Sequence, residues 1–182
     1  YREDAVFYRT NAQSRVLDDA LRRAGIPYLI VGGVRFYERK EIKDTLAYLR
    51  LVVNGRDDVA FRRAVAAPSR GIGKASLLRL EEVAKPAGLS LLEACRQLPP
   101  DLGGKPRRSL EEFARLIGDL EAKKSVLPIP EFIEELLTAS GYREALKQER
   151  TAEADERLEN LEELVAAAEE FRLSLEDATL EG

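Results

Sequence analysis

Histidine and methionine are missing from this chain of 182 residues, and cysteine occurs once, at Cys95. Without histidine and with one cysteine, no zinc site can be assembled from the usual nitrogen and sulfur ligands. A single cysteine also excludes an internal disulfide. Cys95 lies among apolar residues at helical spacing, so we expect a small buried core residue and no reactive thiol.

Two longer patterns are also missing. No apolar run approaches the length of a membrane span, and no signal peptide is visible, so we expect no contact with a membrane. No phosphate loop of the form Gly-x-x-x-x-Gly-Lys-Ser/Thr occurs, and no acidic pair follows an apolar strand in the manner of a Walker B motif. We therefore expect the chain by itself to hold no cofactor or metal and to have no catalytic residues.

The net charge of -4 hides an asymmetry along the chain. Residues 1–108 carry 21 Lys and Arg against 13 Asp and Glu, whereas residues 109–182 carry 8 against 20. A basic first half favours contact with a polyanion there. The alternative is that all these charges belong to solvated helix faces. The acidic second half is a candidate docking surface for partner proteins.

The first part of the chain, residues 1–54, is predicted to contain a strand at 4–8, a helix at 14–24 and a strand at 28–31. Gly25 fits the position after a helix, where a left-handed residue is needed. A strand-helix-strand unit implies parallel pairing with a right-handed crossover. Because two strands make no stable sheet, these residues are predicted to be a piece of a larger parallel α/β subdomain.

The second part, residues 55–182, is predicted to be mainly helical, with the domain border near Asn54-Gly55. A helix at residues 39–53 precedes that border. Ser90 with Glu93 and Ser109 with Glu112 have the spacing of capping boxes, so we expect helices to begin at both serines. Further helices are predicted to begin at Asp57-Asp58, after Pro128 and Pro130, and near Ala152, where Leu158, Leu161, Val165 and Ala168 share one face.

A glycine-rich turn lies between two predicted helices, at Arg70-Gly71-Ile72-Gly73-Lys74. Glycines let the backbone approach a ligand closely, and amides at the start of the next helix point outward at an anion. Arg70 and Lys74 add positive charge, and Ile72 can pack inward. The pattern is typical of a helix-hairpin-helix turn that holds duplex phosphates, although a tight structural connection between helices is the alternative.

The chain carries several short motifs in a fixed order. They are Tyr-Arg-Thr-Asn-Ala-Gln-Ser-Arg at 8–15, Ile-Pro-Tyr at 26–28, Val-Gly-Gly at 31–33, Phe-Tyr-Glu-Arg-Lys-Glu-Ile-Lys-Asp at 36–44, Ala-Tyr-Leu-Arg at 47–50 and Pro-Ser-Arg-Gly-Ile-Gly at 68–73. Together they resemble the UvrD/PcrA/Rep helicases, superfamily 1 DNA helicases that move 3′ to 5′. The resemblance continues more weakly at residues 140–142 and 157–164.

The resemblance implies an architecture and a parent protein. Residues 1–54 would be part of the RecA-like subdomain 2A and residues 55–182 most of the helical subdomain 2B. The parent would be a bacterial, cytoplasmic, nucleoid-associated helicase that uses ATP and Mg for unwinding in repair or replication. Its partners would be single-stranded DNA, the duplex junction, the remaining helicase subdomains, and repair or replication proteins.

The resemblance also assigns roles to residues. Arg9 and Asn11 would face the single-stranded DNA channel, with helix capping as the alternative for Asn11. The turn at residues 70–74 would grip the backbone of duplex DNA ahead of the fork. Residues 36–44 would lie at the hinge between 2A and 2B, with Arg39, Glu41, Lys43 and Asp44 mainly in hinge salt bridges, and with Arg35 and Lys43 as weaker candidates for DNA contact.

A rival hypothesis comes from a different class of protein. The chain could be a helical protein-interaction module of a DNA-repair protein that makes no direct contact with DNA. Binding to short duplex DNA would separate the two, because phosphate contacts give an affinity that falls steeply with salt.

Overall fold

The computed structural model describes residues 4–9, 13–30, 33–100 and 102–175, and it confirms a mainly helical fold. The helices in this part are α1 (Ser14–Arg23), α2 (Lys40–Val53), α3 (Asp58–Ala66), α4 (Lys74–Ala87), α5 (Leu91–Ala94), α6 (Gly104–Glu121), α7 (Ile129–Ala139), α8 (Tyr142–Glu149) and α9 (Ala152–Leu175), with a 3-10 helix at Phe36–Glu38. Of these helices, none is both long enough and apolar enough to cross a membrane.

The two predicted strands do not form in the described residues. Residues 4–8 and 26–30 have no regular secondary structure, while the helix predicted between them is present as α1. A strand exists only through hydrogen bonds to a neighbouring strand, and an isolated pair is marginal in water. The apolar side chains of these segments remain largely exposed, at 93% for Phe7 and 85% for Leu29.

The hydrophobic core is centred on α2. Tyr48 on this helix packs against Phe113 on α6, with ring centroids 6.0 Å apart, and Phe113 meets Phe61 on α3 edge-on at 5.4 Å. All three rings are almost completely buried. Helix α2 also contacts α7 and α9. A helix that precedes the predicted border at residue 54 therefore shares one core with helices that follow it, while the border itself stays a prediction.

Helix ends follow the predicted caps at most positions. Asp57 caps α3 by accepting a hydrogen bond from the amide of Ala60 at 2.9 Å, and Ser90 and Glu93 form a complete capping box before α5. Gly25 is left-handed, as expected, with φ of +64°. The predicted cap at Ser109 is wrong: α6 begins five residues earlier, and Ser109 lies inside it.

Helix α1 meets the rest of the molecule through a polar face. Arg15 is buried and pairs with Glu163 and Glu170 of α9, while Val16 on the same helix is 56% exposed. The pKa of Arg15 is raised: burial would lower it, but the two carboxylates more than compensate. The charges stabilise each other only while α1 stays docked against α9.

Candidate nucleic-acid interface

The turn at residues 71–73 connects α3 to α4 and has two different glycines. Gly71 has a left-handed backbone with φ of +72°, whereas Gly73 is extended at φ of -84° and stands at the N-cap of α4. Ile72 between them is partly buried and packs against the core, as expected. The turn is therefore held from inside by one side chain while both glycines remain exposed.

The first turn of α4 faces outward without a cap. Among the residues that the structure describes, no side chain accepts a hydrogen bond at this N-cap, and the first turn contains no acidic residue. Helix N-terminal amides carry partial positive charge and bind anions readily. The amides of residues 74–76 make up this first turn of α4.

Two lysines lie at this turn. Lys74 begins α4 and is exposed. Lys105 in the first turn of α6 is also exposed, and its Cε and Nζ lie 3.1 and 3.5 Å from the point where a Cβ at Gly71 would stand. Lys105 was not among the residues predicted from the sequence, although it follows a glycine at a helix start just as Lys74 does. Neither lysine forms an ion pair within the described residues.

Arg70 departs from the expectation that its charge faces a phosphate. Its guanidinium turns inward and donates hydrogen bonds to the carbonyl of Pro68 at 2.9 Å, the hydroxyl of Tyr48 at 2.6 Å and the carbonyl of Ser140 at 3.0 Å. The guanidinium also lies 5.2 Å from the ring centroid of Phe113. These contacts make Arg70 a structural element of the turn, although part of the side chain remains accessible.

A second, buried polar cluster joins α1, α2 and α9 near the predicted hinge. Arg39 donates to Asn160 at 2.6 Å and to the hydroxyl of Ser14 at 2.7 Å, and Asn160 in turn donates to Glu41 at 2.7 Å. All four residues are less than a tenth exposed. Burial lowers the pKa of Arg39, while Glu41 acts in the opposite direction. The side-chain amide of Asn160 thus bridges Arg39 and Glu41, which form no direct salt bridge with each other.

The other predicted hinge residues have separate environments. Asp44 is buried, pairs with Arg63 at 2.8 Å and accepts a hydrogen bond from Tyr142 at 2.8 Å. Lys43 is exposed and forms no ion pair with a described residue, so its place in a hinge salt bridge stays a prediction. Arg35 is exposed and stacks its guanidinium 5.4 Å from the ring centroid of Tyr28.

The predicted single-stranded DNA residues are described in part. Arg9 has an exposed side chain, and its backbone amide donates to Gln13 at 3.0 Å. Asn11 lies outside the described residues. Their role in DNA contact stays a prediction.

Nearly the whole chain is similar in sequence to known proteins. A family model described as the UvrD-like helicase C-terminal domain matches residues 1–180. The chain belongs to this family. The UvrD-like chain is 45% identical over 177 residues to the ATP-dependent DNA helicase PcrA of Bacillus subtilis (strain 168), covering 97% of this chain and 24% of that protein. It is 43% identical over 180 residues to DNA helicase II of Escherichia coli (strain K12), and this match covers 98% of this chain and 25% of that protein.

The UvrD-like chain therefore spans about a quarter of the length of these relatives. Within the part that the structure describes, no group of three or more acidic or cysteine side chains is arranged to hold a metal ion. The sequence contains no phosphate loop of the form Gly-x-x-x-x-Gly-Lys-Ser/Thr.

Proposed function

We propose that this chain is the duplex-gripping part of an ATP-dependent 3′–5′ DNA helicase of the UvrD/PcrA type. The observation that carries the proposal is the uncapped start of α4, where Gly71 and Gly73 are exposed and Lys74 and Lys105 flank the turn. Amides and lysines are the groups that position a phosphate backbone without reading its bases.

In this proposal the two parts of the chain have different tasks. Residues 55–182 contact duplex DNA and regulate unwinding, as a 2B subdomain does. Residues 1–54 belong to a 2A subdomain and bring Arg9 and Asn11 to the single-stranded DNA channel. The exposed apolar side chains of Val6, Phe7 and Leu29 support a contact with further helicase subdomains, since such a set is costly to leave in water.

ATP and Mg would be held by other parts of the parent helicase, so this chain alone would hydrolyse nothing. The parent would act in the bacterial cytoplasm, at the nucleoid, in repair or replication. The buried cluster of Arg39, Glu41 and Asn160 would set the orientation of the helical part at the hinge, because separating these groups would leave charges buried without partners.

The rival function, protein docking, would use a groove of about 630 Å³ between α7 and α9. Its lining includes the apolar side chains of Leu127, Pro130 and Val165 and four glutamates. Three of those glutamates already pair with cations of this chain, in Glu134–Arg143, Glu135–Lys123 and Glu169–Arg172. Because these three glutamates are already paired, the groove attracts a basic partner less strongly than its number of glutamates indicates. Duplex binding is therefore the better supported function.

Salt dependence of binding to short duplex DNA tests the proposal. The wild-type chain should bind with an affinity that falls steeply as salt rises. Lys74→Gln and Lys105→Gln should each lower affinity uniformly across sequences and reduce the salt slope by about one. Lys85→Gln, at the exposed opposite end of α4, is the matched control and should change neither. Salt-independent or undetectable duplex binding by the wild-type chain would favour the docking function.

A further inference from the structure

We infer that Arg70 is a positioning residue for the duplex-binding turn and no phosphate ligand, and that Tyr48 and Ser109 complete its support. The inference rests on the proposed function, because it concerns the same turn. It assigns the turn's geometry to three residues of which two are buried beneath the surface that DNA would touch.

Tyr48 connects the turn to the core through two hydrogen bonds of its hydroxyl group. Its hydroxyl donates to the carbonyl of Ala67 at 2.7 Å and accepts from the Arg70 guanidinium at 2.6 Å. Its side chain has no exposed surface, so it cannot reach DNA. The guanidinium also reaches the carbonyl of Ser140 at the end of α7, so one side chain links the turn to α2 and α7.

Ser109 holds the backbone of the same residue. Its hydroxyl donates to the Arg70 carbonyl at 2.9 Å from within α6, and it is 7% exposed. Arg70 is thus fixed at its side chain and at its carbonyl, immediately before the left-handed Gly71. Gly71, Ile72 and Gly73 connect Arg70 to the first turn of α4, whose amides would face phosphate, so a loosened Arg70 displaces that turn.

Charge and shape can be separated at Arg70. Lysine keeps the positive charge but cannot form several hydrogen bonds in the fixed plane of a guanidinium. If Arg70 acts through charge on a phosphate, Arg70→Lys should bind duplex DNA much as wild type does. If Arg70 positions the turn, Arg70→Lys should lose affinity although no charge is lost.

The test measures duplex affinity and its salt slope for Arg70→Lys, Tyr48→Phe and Ser109→Ala in the full chain. We expect each to weaken binding about three- to tenfold, the effect of losing one or more buried hydrogen bonds, with the salt slope unchanged. Tyr142→Phe is the matched control: it removes another buried hydroxyl, bonded to Asp44 and not to Arg70, and should leave affinity unchanged.

Two results would overturn the inference. One is wild-type affinity in both Arg70→Lys and Tyr48→Phe. The other is wild-type affinity in Arg70→Lys together with a salt slope lowered by about one in Arg70→Gln, the signature of a phosphate contact. Circular dichroism confirms that each variant is folded at the temperature of the measurement.

A measurement without DNA keeps this inference separate from the proposed function. Nuclear magnetic resonance order parameters of the Gly71 and Gly73 amides should fall in Arg70→Lys and Tyr48→Phe, because the turn becomes more mobile on the ps–ns timescale. Unchanged order parameters refute the positioning role. If the wild-type chain fails to bind duplex DNA while these order parameters still fall, the proposed function is wrong and the positioning of the turn stands.

Discussion

At Gly71 the backbone adopts a conformation that side-chain-bearing residues rarely adopt, and a Cβ there would stand 3.1 Å from Cε of Lys105. At Gly73 the backbone is extended, and a Cβ would meet nothing within 4 Å. Backbone strain and access of a phosphate can therefore be tested separately, because a side chain at residue 71 strains the folded protein and one at residue 73 does not.

We predict that Gly71→Ala lowers both the stability of the chain and its affinity for duplex DNA. The left-handed conformation costs an L residue about 1–2 kcal/mol, and the flexible end of Lys105 must move aside. Gly73→Ala should leave the thermal unfolding midpoint unchanged and still weaken duplex binding, because its Cβ crowds the approach of the phosphate. Calorimetry and duplex titration measure the two effects.

The same two variants, Gly71→Ala and Gly73→Ala, can each contradict the prediction. If Gly73→Ala binds duplex DNA as tightly as the wild-type chain, the phosphate does not approach the backbone at Gly73. If Gly71→Ala is as stable as the wild type, the left-handed geometry of the turn is wrong.

At the scale of helices, two segments of the same Ser-x-x-Glu pattern behave differently. Ser90 accepts a hydrogen bond from the Glu93 amide at 3.2 Å, and Glu93 accepts one from the Ser90 amide at 2.7 Å, so α5 begins there. The pKa of Glu93 is lowered, chiefly by that backbone hydrogen bond. Ser109 has the same spacing to Glu112, but α6 begins at Gly104 with Gly103 as its N-cap, and the Ser109 hydroxyl inside this helix donates to the Arg70 carbonyl.

We predict that Ser90→Ala destabilises the chain by about 1 kcal/mol, the usual cost of losing an N-cap. Glu112→Ala, at the position of the false cap that corresponds to Glu93, should change stability by less than about 0.5 kcal/mol because Glu112 is exposed in mid-helix. Chemical denaturation of both variants tests the contrast. Equal losses in the two would contradict the assignment of a cap at Ser90 alone.

At the scale of the whole molecule, the packing of α2 bears on where the predicted hinge would lie. The predicted border at residue 54 follows α2, yet Tyr48 and Leu51 of this helix are buried against helices beyond the border. Arg56, just after the border, donates to the carbonyl of Gly88 at 3.3 Å. A hinge between α1 and α2 would leave this core intact, whereas a hinge at residue 54 would divide it.

We predict that limited trypsin digestion cuts after Arg35, which is exposed and precedes α2, before it cuts after Arg56. Exposed segments with little buried backbone are cleaved first, and segments that share a core open late. Mass spectrometry of early time points identifies the sites. An initial cut after Arg56, followed by separation of the two pieces on gel filtration, would instead support two bodies that divide at residue 54.

Local patterns in the sequence were enough for much of this protein. Helical periodicity placed the buried face of α9, where Leu161 is completely buried, and it placed Cys95 in the core, where burial raises the pKa of its thiol to about 12. Capping chemistry placed the starts of α3 and α5. These features depend on residues three or four positions apart along the chain, so local sequence patterns are sufficient to predict them. The ordered motifs were sufficient to indicate the helicase family.

The direction of polar side chains was decided only by the tertiary structure. Arg70 turns inward because Tyr48, 22 residues earlier, and Ser140, 70 residues later, offer it oxygens, and Lys105 joins the turn from the start of α6. Asn160 likewise meets Arg39 across 121 residues. A guanidinium or ammonium can serve a phosphate or a protein oxygen equally well, and local sequence does not say which lies within reach. Folding determines the partner, and with it the role of each charge.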